Sequence, residues 1–187
     1  MRMANFIKRL ARHLLRDYSF YHIYVCNGRS EILSLDTGFR LQPIEKEEIA
    51  SSEDKMIVQQ AWYHGLNTHA YACMDGSRIV GLCFFWYGER YSKRNFWPLA
   101  DQEAKLVQLI VLPQMHGRGI ARSLIEFATQ DMLERGFKRL YARIWRSNTP
   151  SLCAFERARW RRLATVIEIY LVFRKNPFRL KLTTILS

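Results

Sequence analysis

The chain has no apolar run long enough to cross a bilayer. The longest, Ile79 to Tyr87, is nine residues, and a spanning helix needs about 20. It has no C-x-x-C pair: Cys26, Cys73, Cys83 and Cys153 are scattered, which excludes a zinc ribbon, a dithiol redox motif and a disulfide scaffold. Free buried thiols in a reducing compartment are expected, with the cytoplasm as the default location. His64 and His69 lack the intervening Glu of an H-E-x-x-H helix, and no metal is expected. Nine glycines and five prolines among 187 residues are too few for a collagen-like or low-complexity chain. Acidic residues are scarce too. Lys and Arg number 29 against 17 Asp and Glu, a net charge of +12. That balance favours anionic contacts (acidic substrates, acidic carrier proteins, anionic membrane) and is silent about fold. No nucleic-acid recognition motif accompanies it, so nucleic acid is not an expected partner.

What is present fits one domain with a core large enough to need no staple. Residues 1–17 read as a basic amphipathic helix, with Phe6, Ile7, Leu10, Leu14 and Leu15 on one face and Lys8, Arg9, Arg12 and Arg16 elsewhere. That helix suits either docking on the domain itself or peripheral contact with the inner face of a membrane. Residues 18–173 read as the domain and 174–187 as a basic tail. Within the domain, strands are expected at 18–25, 39–44, 69–74, 79–87, 105–112, 140–145 and 163–173. Helices are expected at 45–65, broken once near Ser51-Ser52, at 119–135 and at 151–159. Asp75-Gly76-Ser77-Arg78 makes a hairpin turn. Residues 88–102 form a long aromatic and basic connection, a length usually kept for function.

The chemistry concentrates where a buried strand ends in Leu109-Ile-Val-Leu-Pro113 and a helix starts after Gln114-Met115-His116-Gly117-Arg118-Gly119-Ile120-Ala121. Glycines 117 and 119 allow close backbone approach and unusual dihedrals. The unpaired amides of a first helical turn, with the helix dipole behind them, make a cradle for a pyrophosphate. Arg118 and Arg122 add charge at its rim. A P-loop is excluded because no Lys-Ser or Lys-Thr follows, and a dinucleotide fingerprint because Arg122 stands where its third glycine belongs.

The Q-x-x-G-x-G pattern at Gln114–Gly119, followed by Asn148-Thr-Pro-Ser151-Leu-Cys-Ala-Phe155, resembles the GNAT superfamily of acyl-CoA N-acyltransferases. The resemblance implies an α/β (α+β) fold: a mixed, mostly antiparallel sheet of six to seven strands, splayed between the fourth and fifth family strands, with helices on both faces. It implies acetyl-CoA or another acyl-CoA as co-substrate. Main-chain groups of Leu109 and Val111 would hold the pantetheine arm, and amides from Met115 to Ala121 the pyrophosphate. Asn148, Ser151 and Phe155 would border the arm, Asn148 either touching it or capping the helix ahead of Pro150.

The chain departs from the family at its proton-handling positions. Phe155 replaces the usual Tyr and cannot donate a proton, leaving Tyr141, Tyr170, Cys153 or a water as substitutes. Lys105 and Arg143 stand where two branches of the family place a Glu base. Glu103, Glu89 and Glu168 are the remaining carboxylate candidates, Glu103 foremost. Cations in place of carboxylates favour an anionic acceptor and lower the pKa of a neighbouring amine, so Lys105 and Arg143, with Trp86 among the aromatic residues, form the expected acceptor side. Trp97-Pro98 is a candidate lid. The expected activity is acetyl transfer to a primary amine of an anionic small molecule or peptide. A longer acyl donor, free or on a carrier protein, and a non-catalytic acyl-CoA-binding module are the alternatives. A homodimer is compatible with all three.

Overall fold

The structure is a computed structural model and describes residues 14–28, 38–92 and 96–183. Eight strands form one sheet: β1 (Leu15–Cys26), β2 (Arg40–Pro43), β3 (Thr68–Asp75), β4 (Arg78–Trp86), β5 (Glu103–Val111), β6 (Arg139–Trp145), β7 (Arg161–Leu171) and β8 (Phe178–Thr183). Their order is β2-β3-β4-β5-β6-β1-β7-β8. Every pair is antiparallel except β5–β6, at the centre. Among the described residues five helices accompany them: α1 (Lys46–Ala50), α2 (Lys55–Val58), α3 (Gly88–Ser92), α4 (Ile120–Glu134) and α5 (Thr149–Arg157). The mixed architecture with helices on both faces is the expected one.

Several boundaries differ from the sequence reading. Residues 1–13 of the expected N-terminal helix lie outside the described residues, and Leu15–Asp17 belong to β1. The 45–65 helix is two short helices and a 3-10 turn at Ala61–Tyr63, because Asp54 caps a fresh helix by accepting from Met56 N–H. The 88–102 connection contains α3. Part of the expected tail is β8, paired along β7 from Ile169↔Phe178 to Ala164↔Thr183. It adds an eighth strand to the expected six or seven: its alternation of Phe178, Leu180 and Leu182 with Arg179 and Lys181 matches the pleat of a sheet edge.

One face of the sheet carries α4 and α5. Helix α4 packs on β3, β4 and β5, and it comes so close at Gly81 that a Cβ there would lie 2.9 Å from Leu124 Cδ1. The opposite face carries α1, α2 and the 3-10 turn over β4, and the 96–100 strap over β6, β1 and β7. Under that strap lies a small second core of Tyr21, Ile23, Val25, Tyr141, Ala164 and Val166, roofed by Phe96, Trp97 and Leu99.

Candidate active site

The sheet forks at its centre. β5 and β6 pair only from Glu103↔Arg139 to Leu106↔Ala142. Beyond that point β6 follows β1 through Ile23↔Arg143 and Tyr21↔Trp145, while β5 follows β4 through Phe84↔Gln108 and Gly81↔Val111. Val107 is an extra residue in the β4–β5 ladder, opposite neither Phe84 nor Phe85. Such a bulge bends its strand, and here the bend coincides with the split. A cleft of about 380 Å³ fills the fork, walled by Leu106–Leu109, Ala142–Trp145, Phe96, Asn148, Ser151 and Phe155.

Ladder parity sets which backbone groups face this cleft. Leu112 N–H bonds the Val80 carbonyl, 2.9 Å, so Leu112 and Ile110 spend their groups on β4 while Leu109 and Val111 turn theirs towards the fork. The Val111 carbonyl already accepts from His116 Nε2 at 2.9 Å.

At the mouth, Pro113–Met115 makes one 3-10 turn. Met115 N–H bonds the Leu112 carbonyl and His116 N–H the Pro113 carbonyl. The main-chain N–H groups of Gly117 through Arg122 bond no carbonyl among the described residues. Of the expected Met115–Ala121 amides, those of Met115 and His116 are bonded within the turn and those from Gly117 onward are not. Gly117 and Gly119 have φ of +80° and +76°, which side chains resist, while a Cβ at either would meet no heavy atom. Left-handed backbone, not crowding, requires these glycines. Gln114 and Arg118 are exposed, Ile120 is buried and Ala121 half-buried. Arg122 is committed to the buried Glu126 at 2.8 Å. The segment fits a pyrophosphate: the N–H groups of Gly117–Arg122, at the start of a 15-residue helix, bond no carbonyl among the described residues.

A family model described as Acetyltransferase (GNAT) family matches residues 34–159, about two thirds of the chain. The chain belongs to the GNAT acetyltransferase family. Among solved structures it resembles a GNAT-family acetyltransferase from Colwellia psychrerythraea, with a TM-score of 0.59 at 13% identity, covering 88% of this chain and 61% of that one. It also resembles a GCN5-related N-acetyltransferase from Kribbella flavida, with a TM-score of 0.56 at 12% identity, covering 88% and 62%. These likenesses concern the fold, and the chain spans about three fifths of each relative's length. No curated protein sequence matches it.

Within this GNAT frame the second motif does structural work at the cleft. Asn148 Oδ1 accepts from Ser151 N–H at 3.2 Å and caps α5. Ser151 lines the cleft, as does Phe155, whose ring packs on Trp160 with centroids 5.0 Å apart.

Glu103 and Tyr141 come together but do not line the fork. Tyr141 Oη donates to Glu103 Oε1 at 3.2 Å, Arg139 lies 3.4 Å from the same oxygen, and Ala100 N–H donates to Oε2 at 2.9 Å. They sit where β5 and β6 are still paired. Tyr141 is held above the ordinary phenol range, chiefly by burial. Glu168 is similarly occupied, accepting from Tyr21, Tyr170 and Arg179. Burial and Glu168 push Tyr21 up to about 12.

Of the expected acceptor residues, Arg143 lines the cleft; Lys105 and Trp86 do not. Trp86 is a core residue that donates to the Tyr63 carbonyl at 2.8 Å. Lys105 is fully buried behind Phe96, against the Tyr91 hydroxyl and the Trp97 carbonyl. Burial, then the nearby Arg143, lowers its pKa to about 6, opposed by Glu103. Burial thus favours its neutral form. Tyr91 Oη accepts from Phe96 N–H at 2.7 Å and Trp97 N–H at 3.1 Å, which uses both its lone pairs. Lys105 Nζ packs against the same hydroxyl.

Arg143 is exposed, its guanidinium 4.8 Å from the Phe96 ring, 5.1 Å from Trp145 and 5.4 Å from Tyr21. No carboxylate among the described residues lies within ion-pair distance of it. Gln108, bonded through Nε2 to Gln60 Oε1 at 2.8 Å, is a cleft residue missed in the sequence. Its signal was a lone amide inside the apolar run Leu106–Leu112. Among the described residues no cluster suits a metal ion.

Proposed function

We propose that the protein transfers an acyl group, acetyl in the first instance, from acyl-CoA directly to a primary amine on an anionic small molecule or peptide. One observation carries this reading: the forked cleft has Arg143 on one wall, with no carboxylate at ion-pair distance among the described residues, and β5 on the other, the strand that leads into Gly117–Arg122, whose main-chain N–H groups bond no carbonyl among the described residues. The amides of Gly117–Arg122 hold the pyrophosphate, and the fork-facing groups of Leu109 and Val111 hold the arm. The Leu109 N–H is the donor available to polarise the thioester carbonyl, so charge developing on oxygen meets a fixed backbone dipole.

Arg143 binds the acceptor's carboxylate or phosphate and favours its amine in the neutral form. No Asp, Glu or Tyr among the described residues lines the cleft, and this reading has a low-pKa amine attack without a side-chain base. The N–C bond forms, the C–S bond breaks, and the proton shed by the nitrogen ends on the thiolate.

The test is thiol release from acetyl-CoA and longer acyl-CoAs across acidic, neutral and polyamine acceptors. Acidic acceptors are expected to give the highest kcat/KM. Arg143→Gln should lower that value about tenfold or more for them and little for neutral ones, in line with about 1.5–3 kcal/mol for a charged hydrogen bond. Preference for polyamines would refute the acceptor assignment. Saturable donor binding without thiol release across the panel would make the protein a binding module.

A further inference from the structure

The helical layer stops short of one end of the sheet. It reaches as far as Tyr24, whose hydroxyl donates to Glu156 of α5 at 2.6 Å. Beyond it the register puts Tyr18–Ile169–Phe178 and Phe20–Ile167–Leu180 in two straight rows across β1, β7 and β8, with Leu182 beside them. Nothing among the described residues covers them. Tyr18 is 65% exposed and Phe178 52%. The β7–β8 hairpin extends the surface with Val172 and with Phe173, 72% exposed, followed at once by Arg174 and Lys175.

Around these apolar side chains the exposed charge is mainly cationic, with Asp17 beside Tyr18 as a carboxylate. Arg16, Arg146, Arg174 and Lys175 have no carboxylate within ion-pair distance among the described residues. Arg146 lies 4.7 Å over the Phe20 ring. The alternate residues of β8 point to the other face, where Arg179 pairs with Glu168 and Lys181 stacks on Trp97.

We infer that this face docks on an anionic lipid bilayer. The Val172-Phe173 tip and the rows of Tyr18, Phe178 and Leu180 enter the interface, while Arg16, Arg146, Arg174 and Lys175 meet the head groups. An apolar face rimmed by cations is the pattern of peripheral membrane elements. A second copy is a poorer fit, since self-association would set the same unpaired cations against one another, and like-charge juxtaposition opposes binding.

The experiment is co-sedimentation of the full chain with vesicles of phosphatidylcholine alone and with about one third phosphatidylglycerol. Binding is expected to be about tenfold or more stronger on the anionic vesicles and to fall as salt shortens the screening length. The double variants Val172→Ser/Phe173→Ser and Arg174→Gln/Lys175→Gln lie on an exposed turn. Each should cut anionic-vesicle binding about fivefold or more, with an unchanged circular dichroism spectrum and melting point. Equal binding to both vesicle types, no binding at low salt, or unaltered binding by both variants would overturn the inference. So would a dimer in light scattering that the Val172→Ser/Phe173→Ser variant dissolves, because the face would then belong to a second copy.

Discussion

Lys105→Met tests the buried amine beneath the strap. The native group titrates at about 6 against 10.5 in the unfolded chain. Between those values the unfolded state holds a proton that the native state lacks, so stability rises with pH across the window, by about 1.4 kcal/mol per unit. At pH 7.5, three units below the unfolded value of 10.5, holding Lys105 neutral in the native state costs about 4 kcal/mol. Methionine removes that cost but leaves the Tyr91 hydroxyl and the Trp97 carbonyl without their partner, which costs about 1–3 kcal/mol. The variant should therefore be more stable by about 1–3 kcal/mol at pH 7.5. At pH 10 the lysine costs under about 1 kcal/mol, so the advantage disappears or reverses. Urea unfolding of both proteins, followed by tryptophan fluorescence at several pH values from 6.5 to 10, gives the difference directly. Other titrating groups cancel in that difference. A gap between the two proteins that does not change with pH would show Lys105 charged in the folded state, and the neutral-amine reading would be wrong.

Gly119→Ala forces a side chain into φ of +76°; it should cost about 1–2 kcal/mol of stability and weaken coenzyme A binding in calorimetry, and unchanged affinity would count against the cradle. Asn148→Ala removes the α5 cap and should cost about 1 kcal/mol, with Asn148→Asp retaining most of it in thermal melts. Arg122→Ala strands the buried Glu126, so chemical denaturation should show a loss of about 1–3 kcal/mol. Loss of donor affinity without loss of stability would instead place Arg122 at the pyrophosphate.

Much of the site was readable because its signals are local. Turn, glycine pair and helix start are contiguous from Gln114 to Ala121, and backbone amides at a helix start need no distant partner. The Asn148 cap is likewise a matter of three residues. Misreadings came from residues whose surroundings are assembled from elsewhere. Lys105 looked like a cleft cation because it stands where a branch of the family places a Glu base, yet Tyr91 of α3 and Phe96 and Trp97 of the strap bury it. Glu103 and Tyr141, named separately as base and acid candidates, hydrogen-bond each other and stand where β5 and β6 are still joined. Strand β8 was missed because an edge strand of alternating cations and apolar residues reads as a basic tail until β7 lies beside it.

The sequence alone determined the alternation of strands and helices, the glycines that need left-handed backbone, and the motif order that marks the family, all set by contacts within a few residues. The family resemblance placed the split between two strands; only the tertiary structure decided that it opens after Leu106, which cation faces the cleft and which burial drives towards neutrality, and which apolar rows are left uncovered among the described residues. Those depend on a bulge at Val107 and on strap and edge elements meeting across long stretches of chain, and no spacing along the chain encodes the dielectric a side chain meets.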